Sequence, residues 1–290
     1  MKIEEKVQLL RKAYNDPEGM KKLGQALVDV IKLRLPVEGL TRQLLVEDPL
    51  TAGQVAYYDS DIEVPAITLG VHGSNPEVHV GPDRVFANPF RIEAFAVVDK
   101  SDLRLARYNA LDRAKTVATD HIKLEEDRRL FIALNAAISA YATDPNHTIT
   151  PDHTLSGSSV TQALLGELIA ITASHGLQAK HLVMNPIEYQ DILSWGVNYL
   201  GYKAIDAIVE TGQLPFYGGC AIHVAPQCPV GSVYVLPDAE YVGYYPIYLD
   251  LEPDPFEDIR NHQTGWLLWE LVSIAIMNPR GLARLDITRT

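Results

Sequence analysis

Apolar residues recur at helical spacing near the start of the chain, at Val7, Leu10 and Tyr14 and again at Leu23, Leu27, Val30 and Ile31. The segment 15–19, with Pro17 and Gly19, interrupts the stripe, and Pro36 stops it. The pattern predicts one broken helix over 3–35 that completes no core of its own. It reads as an arm whose apolar side must be buried elsewhere. Residues 50–99 change period. Residues 55–58 and 84–98 have strand composition, and Glu77, Val78, His79 and Val80 alternate between them. Pro65, Gly70, Gly73, Pro76, Gly81 and Pro82 loosen the tip. This predicts a long two-stranded hairpin, which buries too little to stand alone in water and must lie on a body.

Residues 101–143 carry the longest helical pattern, with Ser101 and Asp102 as N-cap candidates and no Pro or Gly before Pro145. Leu111, Ala114, Ala118 and Ile122 form one stripe, and Leu130, Leu134, Ile138 and Tyr141 a second, offset stripe. A helix of roughly 40 residues spans about 60 Å. After a polar linker at 146–158, Val160, Leu164, Leu168 and Ile171 mark a helix closed by Gly176, and residues 181–184 a short buried strand. Asn185, Pro186 and Glu188 stand in register for N-cap, first helical position and capping box of a helix reaching about Trp195. Residues 205–209, 221–224 and 232–236 read as short strands separated by turns.

Long strands return after residue 244, interrupted by an acidic, Pro-rich loop at 252–258. From 266 to 277 ten residues are apolar, broken only by Glu270 and Ser273. The run falls short of the roughly 18 apolar residues a membrane helix requires. It predicts one long strand, a corner at Asn278, Pro279, Arg280 and Gly281, and a short strand at 282–287 returning onto it. The C-terminus is therefore expected to be folded.

Composition adds little to the pattern, but charge adds something. The chain of 290 residues is 47% hydrophobic and 21% charged, which excludes wholesale disorder. The start is polar and unlike a signal peptide. Cys220 and Cys228 fit a reducing compartment as buried small side chains. A net charge of -12 argues against a dedicated nucleic-acid binder. Residues 1–45 nevertheless hold nine Lys or Arg against six acids, while the remainder holds 16 against 31. A basic arm on an acidic body suits attachment to a neighbouring copy, although a solvated amphipathic helix would show the same balance.

Candidate chemistry is sparse. The chain has no P-loop, no dinucleotide fingerprint and no nucleophile-elbow or zincin motif. Gly212, Gly218 and Gly219 read as turn glycines. His72 and His79 in the hairpin tip, and His147 and His153 in the linker, read as solvated side chains rather than ligands. Glu125, Glu126 and Asp127 stand among Lys123, Arg128 and Arg129, which reads as a salt-bridged, solvated helix face. No catalytic, cofactor-binding or metal-binding residue is expected.

The order of parts, together with Leu182-Val183-Met184-Asn185-Pro186-Ile187-Glu188-Tyr189, Glu210-Thr211-Gly212 before Tyr217-Gly218, and Ala275-Ile276-Met277-Asn278-Pro279-Arg280-Gly281, resembles the major capsid proteins of tailed phages. Their α+β Hong Kong 97 fold is shared with bacterial encapsulins, and the resemblance covers nearly the whole chain. It implies an N-terminal arm over 1–49, an extended E-loop over 50–99, a P-domain with a long spine helix from 100–145 and 246–290, and an A-domain over 146–245. The implied function is structural and not enzymatic: self-assembly through hexamers and pentamers into an icosahedral head shell around double-stranded DNA, without sequence-specific contact and without a cofactor or membrane. Implied partners are a portal, a separate scaffolding protein and a decoration protein, and the implied location is the virion capsid, assembled in the host cytoplasm. Crosslinking members use an E-loop lysine, and residues 50–99 contain none, so the shell is expected to be non-covalent. Expected inter-subunit contacts are Leu23, Leu27 and Ile31 of the arm and Tyr57, Tyr58, Ile67, Val78, Val80 and Arg84 of the hairpin. The alternatives are an encapsulin-like compartment around a cargo enzyme and a soluble α/β enzyme.

Overall fold

The structure, a computed structural model, describes residues 39–51, 53–59, 84–101, 110–143, 153–196 and 200–289. The arm expected at 3–35, with Leu23, Leu27 and Ile31, and the hairpin tip, with Ile67, Val78 and Val80, lie outside them. The chain divides into two compact units. The described part of the larger is 39–51, 53–59, 84–91, 124–143, 153–196, 200–250 and 271–289, and that of the smaller is 92–101, 110–123 and 251–270.

A six-stranded mixed sheet organises the larger unit. Its strands are β5 (Thr154–Gly157), β6 (His181–Met184), β7 (Phe216–Tyr217), β8 (Cys220–Val224), β9 (Ser232–Leu236) and β13 (Ala283–Ile287), in the order β5-β13-β9-β6-β8-β7. Alternation sends Leu182, Met184, Val233, Val235, Leu285 and Ile287 into one core with Leu165, Leu168 and Ile171 of helix α3 (Gln162–Ser174). On the opposite face Tyr234 packs on Phe131 of helix α2 (Ala110–Thr143), with ring centroids 5.5 Å apart. Asn135 of the same helix accepts hydrogen bonds from the Tyr234 hydroxyl at 2.8 Å and the Arg284 guanidinium at 2.9 Å. A fully buried Leu or Val contributes about 1.5–3 kcal/mol, so this core carries its own stability.

Of the first α2 stripe Ala118 and Ile122 are buried, Ala114 is half-buried and the Leu111 side chain lies outside the described set; Leu130, Leu134, Ile138 and Tyr141 of the second are all buried. Lys100 and Ser101 are already helical, so a helix begins there before the expected cap. Helix α3 is capped by Thr161 and followed by Gly176 at φ 74°, the left-handed conformation expected of a closing glycine.

Five expectations change. Residues 205–209 belong to helix α5 (Tyr202–Thr211), closed by Gly212 at φ 70°; Ala204 and Ile208, one turn apart, turn inward together. The acidic run 252–258 is no loop but the outer half of β10 (Gly243–Asp258). Strand β1 (Val46–Pro49) pairs only with Tyr244 to Ile247, which leaves the outer half of β10 with an open edge among the described residues. Such an edge tolerates Pro253 and Pro255, which share one side of the strand. The linker yields strand β5 and a buried His153. The hairpin's return strand splits at residues 87–89 into β3 (Arg84–Phe86), which pairs with β2 (Tyr57–Asp59), and β4 (Phe90–Asp99), which joins a different sheet.

The fifth change concerns the C-terminus. The run 266–277 breaks at Ser273 into β11 (Gln263–Val272) and β12 (Ala275–Ile276). The Ser273 hydroxyl donates to Asn88 O at 2.9 Å, so this break is a bonded feature. Beyond the corner, β13 does not return onto the same strand. It enters the six-stranded sheet, parallel to β5 and antiparallel to β9.

In the smaller unit β11 lies between β10 and β4. Gly265 passes so close to β4 that a Cβ would stand 2.0 Å from Ala96 O. Phe95 and Phe256 meet edge to face at 4.7 Å, and the Lys115 ammonium lies 5.1 Å from the Trp266 ring centre.

Candidate assembly site

Two segments of the larger unit adjoin residues outside the described set, and each is fastened at that boundary. The first fastening begins at Gly39. Helix α1 (Thr41–Leu44) has Leu40 as N-cap, a side chain that cannot accept a hydrogen bond. Asp127 of α2 supplies the acceptor from afar: its Oδ1 takes Leu40 N at 2.8 Å, Thr41 N at 2.9 Å and Thr41 Oγ1 at 2.9 Å. The neighbouring Glu126 accepts from Arg42 Nη2 at 3.0 Å and from the Tyr245 hydroxyl at 2.8 Å. Arg42 also reaches Asp250 at 3.1 Å. Burial disfavours the Arg42 cation, but Glu126 and Asp250 outweigh it and raise its proton affinity. Asp127 is shifted upward by desolvation, against the hydrogen bonds from Thr41 and Leu40. Hydrogen bonds to charged groups contribute about 1.5–3 kcal/mol each, which makes this a firm clamp for a short segment.

This clamp corrects the reading of Glu125, Glu126 and Asp127 as one solvated face. Glu125 does pair on the surface with Arg128 and Arg129. Glu126 and Asp127 are 1% and 2% exposed. The signal was in the spacing, because 126 lies in the same four-residue series as Ile122, Leu130, Leu134 and Ile138.

The second fastening is the β2–β3 ladder, three residue pairs from Tyr57↔Phe86 to Asp59↔Arg84. Tyr58 points inward. Its ring stacks on Tyr244 at 4.5 Å with planes 6° apart, and its hydroxyl donates to Asp48. Burial first, and Asp48 second, raise its phenol's proton affinity. Tyr248 ties both strands by donating to Ala87 O at 3.2 Å and accepting from Ala56 N at 3.1 Å. Tyr57 and Phe86 point outward, 55% and 63% exposed. Arg84 binds Asp59 at 2.9 Å with its guanidinium 5.5 Å from the Tyr57 ring centre. Of the three expected hairpin contacts that the structure describes, Tyr57 and Arg84 are thus on the surface, and Tyr58 is engaged within its own subunit.

The quoted motifs are structural staples. Asn185 caps helix α4 (Pro186–Leu193) by accepting from Ile187 N, and its amide donates to Cys228 O at 2.9 Å. Glu188 is fully buried and accepts from Gly231 N at 3.0 Å, so it serves the turn before β9 in place of the reciprocal capping box. Tyr189 binds Leu214 N and O through its hydroxyl. At the C-terminal corner Asn278 accepts from Arg280 N, and Thr172 donates to Gly281 O at 3.2 Å. A Cβ at Gly281 would stand 2.7 Å from Pro237 Cγ, so the corner requires glycine for close approach. Cys220 and Cys228 are free and buried. Among the described residues no three His, Cys, Asp or Glu gather as a metal site, and no helix is long and apolar enough to cross a membrane.

No protein-family profile and no curated protein matches the chain. Solved structures do. One from Microbacterium phage Oxtober96 shares 10% identity and aligns over 90% of this chain and 94% of its own, with a TM-score of 0.68. The capsid structure of cyanophage P-SCSP1u shares 12% identity over 89% of this chain and 90% of its own, with a TM-score of 0.64. The holo-SrpI encapsulin complex from Synechococcus elongatus PCC 7942 shares 13% identity over 89% and 90%, with a TM-score of 0.54. The fold is α+β, of the Hong Kong 97 type.

Proposed function

We propose that this protein is structural: the major capsid protein of a tailed phage, whose copies assemble into an icosahedral head shell around double-stranded DNA. The observation that supports this most is the alignment of about nine-tenths of the chain with phage structures, including a capsid. The two fastened segments fit that role, since each is clamped to the body of the subunit beside the stretch that this reading assigns to arm or E-loop. In this reading residues 1–49 are the arm, 50–99 the E-loop, 100–145 with 246–290 the P-domain and 146–245 the A-domain. Hexamers and pentamers meet through arm and hairpin without covalent links, because 50–99 has no lysine. Portal, scaffolding and decoration proteins are the expected partners, with assembly in the host cytoplasm.

Electron microscopy of the purified protein tests the reading. Closed shells of uniform diameter are expected, and a discrete small oligomer by light scattering would overturn it. The encapsulin match supports a second reading, a compartment around a cargo enzyme. DNA inside the particles favours the first reading, and a protein cargo the second. Deleting 64–82 should leave a soluble subunit that makes no shells. Ladders of linked chains on a denaturing gel would refute non-covalent assembly.

A further inference from the structure

Strands β6 and β8 run parallel in register, His181 opposite Ala221 and Val183 opposite His223. Residues two apart share a face, so both histidines stand on one face of the sheet. Their facing nitrogens, Nδ1 of His181 and Nε2 of His223, are 3.0 Å apart, with ring centroids at 5.2 Å. Both side chains are half-buried, so solvent reaches them while the paired strands hold their backbones. We propose that His181 and His223 form a two-imidazole site for a divalent transition cation, copper(II) or zinc, which joins β6 to β8.

The chemistry follows from the pair's geometry. In the metal-free pair one facing nitrogen donates and the other accepts. When the donor's proton moves to the other nitrogen of its ring, both facing nitrogens present lone pairs, and no proton leaves the site. Two nitrogens at 2.0–2.1 Å from a tetrahedral ion stand about 3.4 Å apart, an opening of a few tenths of an ångström that ring rotation supplies. Imidazole suits copper and zinc, and copper binds such ligands more tightly. No third protein ligand joins them among the described residues, so water completes the sphere. The site is independent of the shell reading.

Copper(II) titration of the full chain, followed by electron paramagnetic resonance, tests it. The first equivalent should show the nitrogen hyperfine pattern of two imidazoles. His181→Gln or His223→Gln should lower copper affinity by at least about tenfold, as loss of a metal-supporting group does. Zinc should raise the Tm of the wild type and not of either variant, since a ligand bound only to the folded state stabilises it. A first-equivalent pattern without two nitrogens, or one retained in both variants, overturns the proposal. Should a variant fail to fold, the wild-type pattern and Tm shift decide.

Discussion

The six-stranded sheet and the β2–β3 ladder belong to the same unit, yet they are held by different forces. The middle of the sheet is covered on both faces, and Leu182, Val183, Met184, Val233, Tyr234 and Leu285 are at most 1% exposed. The ladder has three residue pairs over a small cluster of Ala56, Ala87 and Ala275. Methyl groups of that size supply little burial, so Tyr58, Tyr248 and Asp48 fix the ladder by stacking and hydrogen bonds. Its two outward rings, Tyr57 and Phe86, remain in solvent. Aromatic residues are enriched where protein surfaces meet other chains. One region stores stability, and the other presents a surface.

Substitutions can break or sharpen that contrast. The largest loss is expected in the sheet: Leu285→Ala removes a fully buried side chain and should cost about 2–5 kcal/mol in urea unfolding. A smaller loss is expected at the clamp. Asp127→Ala strands three donors and should cost about 1–3 kcal/mol. Asp127→Asn keeps an acceptor without burying a charge and should stay near wild type. The pH response separates these two variants from the wild type. Because desolvation raises the folded-state pKa of Asp127, the folded chain binds this proton more tightly than the unfolded chain. Its contribution is therefore most favourable on the acid side and declines as pH rises through the raised value. Asp127→Asn should remove that decline; an unchanged pH profile would show that Asp127 does not titrate as argued.

In the ladder, Tyr58→Phe loses the hydrogen bond to Asp48 and should cost about 1 kcal/mol. The smallest stability effect, within about 0.5 kcal/mol, is expected for Tyr57→Ser and Phe86→Ser, whose side chains touch mostly water. Shell yield in electron micrographs should nevertheless fall for both. A stability loss there as large as that of Leu285→Ala would erase the contrast, and undiminished shells would show that the outward rings are not contacts.

Legibility in the sequence followed how local the cause was. The stripes of α2, the cap at Asn185 and the corner at Asn278 depend on neighbours within a few residues, and the structure has them. Glu126 shared the period of Ile122, Leu130 and Leu134, but its charge concealed a core position whose partners, Arg42 and Tyr245, are far away in the chain. His153 looked solvated because its neighbours are polar. It is buried, with Nδ1 2.6 Å from Leu282 O and Nε2 3.0 Å from His175 Nε2. Residues 205–209 looked like a strand because Ile205, Ile208 and Val209 are β-branched, and tertiary packing of Ala204 and Ile208 overrode that preference.

By itself the sequence determined periods, caps and turns: which segments become long helix or strand, and where the chain corners. Only the tertiary structure decided partners. Strand β13 could have paired with β11 on composition alone; it joins β5 and β9 because Leu285 and Ile287 find the α3 core there and Arg284 finds Asn135. Glu126 and Asp127 could have faced water, and they are buried because the segment after Gly39 brings them donors. Period depends on residues a few positions apart, whereas burial and pairing depend on what distant segments supply.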